Sequence, residues 1–228
     1  MTMKMATIAA LKHFDVAKET LMELPALNKA SVLVPLFVRS GKLHTLMTLR
    51  SKELRTSGGE VCFPGGKQEA GDKDEVDTAL REAEEEIGLL PADVHVVCRL
   101  HPIISKVQEY FNQVLVTPVV GFIQESFRPR PNPAEVSAAF TVPLDLFTLD
   151  QDHLGDPRAA RAPVPTLSFY FTDPRTGAEY HIWGLTAMVA LIVAAIARKT
   201  SPESDVGVRA EELQVMLRRH LEERRSKL

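Results

Sequence analysis

Cysteine is scarce in this chain, and what there is does not pair: Cys62 and Cys98 are the only two among 228 residues, and they are not close-spaced. That spacing indicates neither a disulfide framework nor a zinc site and leaves two reduced thiols. Cys62, beside Phe63 and with no visible His or Asn partner, reads as a strand-packing residue rather than a nucleophile. A basic excess is also missing. Lys and Arg number 27 against 30 Asp and Glu, a net charge of −3, so the broad cationic surface of a nucleic-acid binder is excluded. Long apolar runs are missing too. The longest, Ile182 to Ala197, holds 16 residues, includes Gly184 and Thr186, and falls short of the ~20 that cross a bilayer. It reads as a buried core helix ending at Arg198-Lys199. Met1 to Ala10 has no extended apolar stretch of signal-peptide type, and Asp15, Glu19 and Glu23 argue against a transit peptide. No internal repeat appears. The length exceeds the commonest domain size but fits one domain with a sizeable core and terminal elaborations.

The most informative stretch runs from Gly71 to Gly88. It predicts one capped helix in which Asp72 accepts from free N–H groups, Glu75 reaches back, and Gly88 supplies the left-handed terminator. Val76, Leu80, Ala83 and Ile87 recur at helical spacing as an apolar stripe. Glu82, Glu85 and Glu86 fall within a ~100° arc on the other side. Three carboxylates so close repel one another unless a cation neutralises them, and a hard divalent ion, Mg²⁺ or Mn²⁺, suits such oxygens and a substrate phosphate. The plainer alternative is a solvated face on which Arg81 pairs with Glu85 at i,i+4.

Phe63-Pro64-Gly65-Gly66 stands immediately upstream, and its glycines allow a turn or a close approach to a ligand. From Gly66 to Leu89 the chain resembles the signature of the Nudix hydrolases. Arg81-Glu82-Ala83-Glu84-Glu85-Glu86-Ile87-Gly88-Leu89 matches its second half at every specified position. The first half departs: five residues separate Gly66 from Asp72, but eight rather than seven separate Asp72 from Arg81, and Asp72 stands where the pattern has Glu. N-cap rather than metal ligand is therefore the role expected of Asp72. The resemblance implies an α/β fold, an α/β/α sandwich around a mixed sheet. It also implies a cation on Glu82, Glu85 and Glu86, with Arg81 fixing those carboxylates, and a general base from a loop beyond the helix. Glu135 is a candidate for that base, or an ordinary helix-start Glu.

A second motif adjoins the first. Thr48, Arg50, Ser51, Arg55 and Gly59 before Phe63-Pro64-Gly65-Gly66 resemble the segment carried by the coenzyme A diphosphatase branch of that family. This implies coenzyme A and acyl-coenzyme A as substrates, with Arg50, Ser51, Arg55, Gly65 and Gly66 binding them. Physically, Arg50 and Arg55 can fork onto phosphates where Lys52 offers a point charge; alternatively, the three merely solvate a strand end. Diphosphatase action on other nucleoside diphosphate derivatives, and non-catalytic coenzyme A sensing, are the competing readings. Finally, Ser226-Lys227-Leu228 reads as a peroxisomal address recognised by an import receptor at a free C-terminus.

Patterning predicts a helix near Ala10–Leu24 and strands near Ser31–Val38, Leu43–Arg50, Val94–Leu100, Val114–Ile123 and Ala138–Pro143. A hairpin is expected from Thr166–Thr172 and Glu179–Trp183, and helices near Leu185–Arg198 and Arg209–Arg224. Pro129, Pro131 and Pro133 mark one loop, and Gly155 through Pro165 a second. The expected division is a helical extension (1–30), a catalytic domain (31–200), and a C-terminal helix with targeting tail (201–228).

Overall fold

The structure, a computed structural model, describes residues 2–16, 27–106, 113–147, 167–198 and 215. The near-continuous apolar run from Val32 to Val38 can be buried only if both sides of its strand are covered, and the fold does this. Strand β1 (Asn28–Arg39) runs through the sheet, antiparallel to β2 (Lys42–Arg50) and parallel to β7 (Gln113–Phe122). Two short strands, β3 (Val61–Cys62) and β4 (Gly65–Lys67), pair with β2 and β1, and β8 (Val136–Pro143) pairs with β2. Beyond β7 lie β5 (His95–Arg99) and β6 (Ile103–Lys106). The result is an eight-stranded mixed sheet.

Side chains alternate across it with the period of two that strands impose. Leu33, Phe37, Leu46, Val119 and Ile123 face helix α2 (Glu75–Ile87). Val34, Leu36, Met47, Val120 and Phe122 face the opposite core, which takes in helices α1 (Met3–His13) and α3 (Gly184–Arg198). The α/β/α sandwich is therefore as the sequence suggested. Leu11 of α1 is fully buried in the larger core, so this helix belongs to the body of the domain.

Several expectations need correcting. Helix α1 begins earlier than the predicted Ala10–Leu24, at Met3, and Phe14 caps it; residues 17–24 lie outside the described set. The run from Ile182 to Ala197 is divided. Ile182 and Trp183 end strand β10 (Glu179–Trp183), which pairs with β9 (Ser168–Thr172), and the helix starts at Gly184, whose φ of +61° turns the chain. Among the described residues, no helix is long and apolar enough to cross a membrane. The proline-rich 129–133 segment is a loop. The 155–165 segment and, apart from Val215, the expected Arg209–Arg224 helix lie outside the described residues.

Candidate active site

Helix α2 positions the acidic residues, and its start differs from expectation. Asp74, not Asp72, is the N-cap, its Oδ1 accepting from the N–H groups of Val76 and Asp77 at 2.9 Å each. Glu75 does not reach back; it pairs with Arg99 of β5 at 3.1 Å. Asp72 is taken by Arg81, whose Nε and Nη2 donate to its two oxygens at 2.9 and 3.0 Å, while Thr78 Oγ1 and the Glu69 N–H add further bonds. The Arg81 bonds hold the Asp72 carboxyl well below the usual carboxylate range. They raise the Arg81 guanidinium in turn. The other end of α2 matches expectation: Gly88 has φ +69°, its N–H donates to Glu84, and the Leu89 N–H donates to Ala83. Two carbonyls left free in that last turn are met by the 129–133 loop, the N–H groups of Arg130 and Asn132 donating to Ile87 and Glu86 at 2.8 Å each.

That loop then delivers Glu135. Carboxylate oxygens of Glu82, Glu86 and Glu135 all lie within 4.8 Å of one another. The Asn132 side-chain amide donates to Glu135 Oε1 at 3.3 Å, and the Ser51 N–H donates to the Glu135 carbonyl at 2.8 Å. Glu86 is buried, 1% exposed, and its Oε2 accepts from the Gly65 N–H at 3.3 Å. Burial pushes its carboxyl up to about 8, against the pull of Arg50 and that N–H; burial also raises Glu82. Glu85 is not brought into this cluster. Its carboxylate is half exposed and sits on Arg81 at 3.0 Å, the i,i+4 pairing that the helix pattern allowed as an alternative.

The two glycines serve close approach. A Cβ on Gly65 would overlap the backbone of Ser31 and Val32, and one on Gly66 would overlap the Glu82 carboxylate. Arg50 reaches the cluster, Nη1 lying 3.7 Å from Glu86 Oε1. Arg55 does not. It is exposed, in the turn between β2 and β3, and makes no ion pair among the described residues. Ser51 is buried, and its Oγ accepts from the Glu53 N–H at 3.4 Å. Cys62 packs against Thr48, Oγ1 to Sγ being 3.2 Å; burial, then Glu86, raises its thiol to about 11, in keeping with a packing role. Patterning had not singled out Asn132 as the residue that orients Glu135. The only available signal was its place in Asn132-Pro133-Ala134-Glu135, three residues before the acid.

Three carboxylates with two guanidiniums at their edge, Arg50 at Glu86 and Arg81 at Glu82, still make an anionic, all-oxygen donor set, which fits a hard divalent cation better than a soft one. Fold and cluster together define a class, α/β/α proteins with an acidic oxygen-rich centre at the end of a mixed sheet. The family profile of the NUDIX domain matches residues 27–162, and this chain belongs to the Nudix hydrolases. It is 45% identical over 177 residues to a peroxisomal coenzyme A diphosphatase of Mus musculus, a match covering 77% of this chain and 72% of that protein. It is 41% identical to the mitochondrial Nudix hydrolase 15 of Arabidopsis thaliana, over 77% of this chain but only 60% of the relative's length. Among solved structures, a MutT/Nudix family protein from Enterococcus faecalis superposes with a TM-score of 0.51 at 16% identity, covering 87% of this chain and 71% of that one, a likeness of fold alone. Enzymes of this family hydrolyse their substrates with the help of divalent metal ions.

Proposed function

We propose that this protein hydrolyses the diphosphate of coenzyme A and acyl-coenzyme A, releasing 3′,5′-ADP and 4′-phosphopantetheine or its acylated form. The observation that carries the reading is that Arg50, from the segment resembling the coenzyme A branch, meets Glu86 of the acidic helix at 3.7 Å. The mouse relative's name supports the same substrate.

In this reading Glu82 and Glu86, with Glu135 beside them, hold Mg²⁺ or Mn²⁺. The cation, when bound, offsets charge on the phosphoryl oxygens and lowers the pKa of a water. The chain's own residues do the rest. Arg81, tied to Asp72 and to the Lys67 carbonyl, fixes the Glu82 carboxylate at 3.1 Å and so keeps the acidic face in one arrangement. Glu135, oriented by Asn132, is the acceptor for a proton leaving the attacking water. We assign the additional 3′-phosphate to Arg55, a cation that is exposed and makes no ion pair among the described residues. The ending Ser226-Lys227-Leu228, together with the mouse relative's name, supports a peroxisomal destination.

Incubation of the purified protein with Mg²⁺ and coenzyme A, followed by chromatography, tests the proposal. Equal amounts of 3′,5′-ADP and 4′-phosphopantetheine are expected. Turnover of ADP-ribose but not of coenzyme A would replace this reading with that of a general nucleoside diphosphate hydrolase. Binding without turnover would make the protein a sensor.

A further inference from the structure

Arg50 and Arg55 look equivalent in the sequence, two cations that could fork onto any phosphate of the substrate. The fold separates them. At the junction of Leu49 and Arg50 the register between β2 and β8 shifts: Leu49 lies opposite Ala138, but Arg50 lies opposite Val136. Ser137 is the extra residue, and its hydroxyl donates to the Leu49 carbonyl at 3.1 Å. The bulge lies on β8, opposite the end of β2, and at that end the Arg50 side chain lies at the carboxylate cluster, only 23% exposed.

Arg50 is poorly satisfied there. Among the described residues its one ion pair, to Glu86, is 3.7 Å long, beyond hydrogen-bond length; its guanidinium otherwise meets the weakly accepting Cys62 sulfur, and its Nε is buried without a hydrogen-bond partner. A buried donor on a charged group is costly to leave unpaired, more so than a neutral one. An approaching diphosphate supplies what is missing, two adjacent acceptor oxygens for a planar fork. It also needs a fixed cation where three carboxylates would otherwise repel it. The 3′-phosphate cannot take that place in the same molecule, because the ribose and its 5′-methylene hold it away from the diphosphate.

We infer that Arg50 is a catalytic residue that grips the reacting diphosphate itself, with Glu86 positioning its guanidinium, and that it takes no part in recognising the 3′-phosphate. The inference rests on the proposed function only for the identity of the diphosphate.

The test uses the full chain and two readouts, turnover with Mg²⁺ and equilibrium binding in EDTA, on coenzyme A, dephospho-coenzyme A and ADP-ribose. Arg50→Ala is expected to lower kcat/KM and to weaken metal-free binding by at least about tenfold, the worth of a charge-assisted bond, and by the same factor on each diphosphate that the wild type handles. Arg50→Lys, a point charge without the fork, should recover part of the loss. A selective loss on coenzyme A would overturn the inference and make Arg50 a reader of the 3′-phosphate. The same binding measurement in a Glu86→Gln background separates substrate contact from mere neutralisation of Glu86. If the Arg50→Ala loss persists there, the guanidinium touches the ligand; if it vanishes, Arg50 is only a counter-ion and the inference fails. Should wild-type protein ignore coenzyme A, the function proposal falls on that control alone, and the Arg50 comparison is read on ADP-ribose.

Discussion

Arg81 and Asp72 form a two-pronged pair: Nε meets Oδ1 at 2.9 Å and Nη2 meets Oδ2 at 3.0 Å, across nine residues of turn and helix. The same guanidinium touches Glu82 and Glu85 at 3.1 and 3.0 Å. The segment before the helix and the acidic face are thus locked by one side chain.

Asp72→Asn should therefore destabilise the protein by about 1.5–3 kcal/mol at neutral pH, the range for a hydrogen bond to a charged group. The sign with pH follows from the depressed carboxyl. Its contribution is complete above the ordinary value of 3.8 and is lost as pH falls through that region toward the folded-state value. Urea unfolding at pH 7 and pH 3 should show the gap between variant and wild type narrowing in acid. A gap that stayed constant would assign the loss to packing.

Glu86 behaves oppositely. With its carboxyl raised from 4.5 to about 8, the metal-free folded protein holds a proton that the unfolded chain has released, so stability declines as pH rises across that window. Glu86→Gln removes the decline, and in EDTA at pH 9 the variant should melt above the wild type. Its turnover with Mg²⁺ should nonetheless fall by at least about a hundredfold, the scale of losing a preorganised charge stabiliser. Thermal melts in EDTA and steady-state rates check the two halves separately. Full activity in the folded variant would remove Glu86 from the chemistry.

The two neighbouring glycines should differ. An added Cβ at Gly65 meets the backbone of Ser31 and Val32, so Gly65→Ala should cost stability. At Gly66 the obstacle is the Glu82 carboxylate, a side-chain end that can give way only by disturbing its bond to Arg81, so Gly66→Ala should cost less stability than Gly65→Ala but turn over more slowly. Melting temperature and kcat measured side by side decide this, and equal stability losses would contradict it.

Removing Ser226-Lys227-Leu228 should move an N-terminally tagged protein from peroxisomes to the cytosol with its specific activity unchanged. Punctate signal surviving truncation would indicate another import route. Diffuse signal in both forms would make the tripeptide a chance ending.

Local pattern alone located α2, its apolar stripe and its Gly88 stop, because 3.6-residue spacing and a left-handed cap are properties of consecutive residues. The predicted strands that became β1, β2, β5, β7, β8, β9 and β10 were legible for the same reason, as runs of apolar and β-branched residues. Strands β3, β4 and β6 were not, since two to four residues such as Gly65–Lys67 carry no periodicity and become a strand only by pairing with a neighbour. The same divide runs through the site. Glu82 and Glu86 share a helix face by geometry that any reader of the sequence can compute. That Glu135 joins them depended on a loop closing over a helix end, that Asp72 serves Arg81 on the turn before the helix folding back along it, and that Arg50 rather than Arg55 reaches Glu86 on where strand β2 ends against β8. Those contacts join residues from 9 to more than 50 positions apart, so the sequence determined which groups were available and the packing of the sheet decided which of them meet.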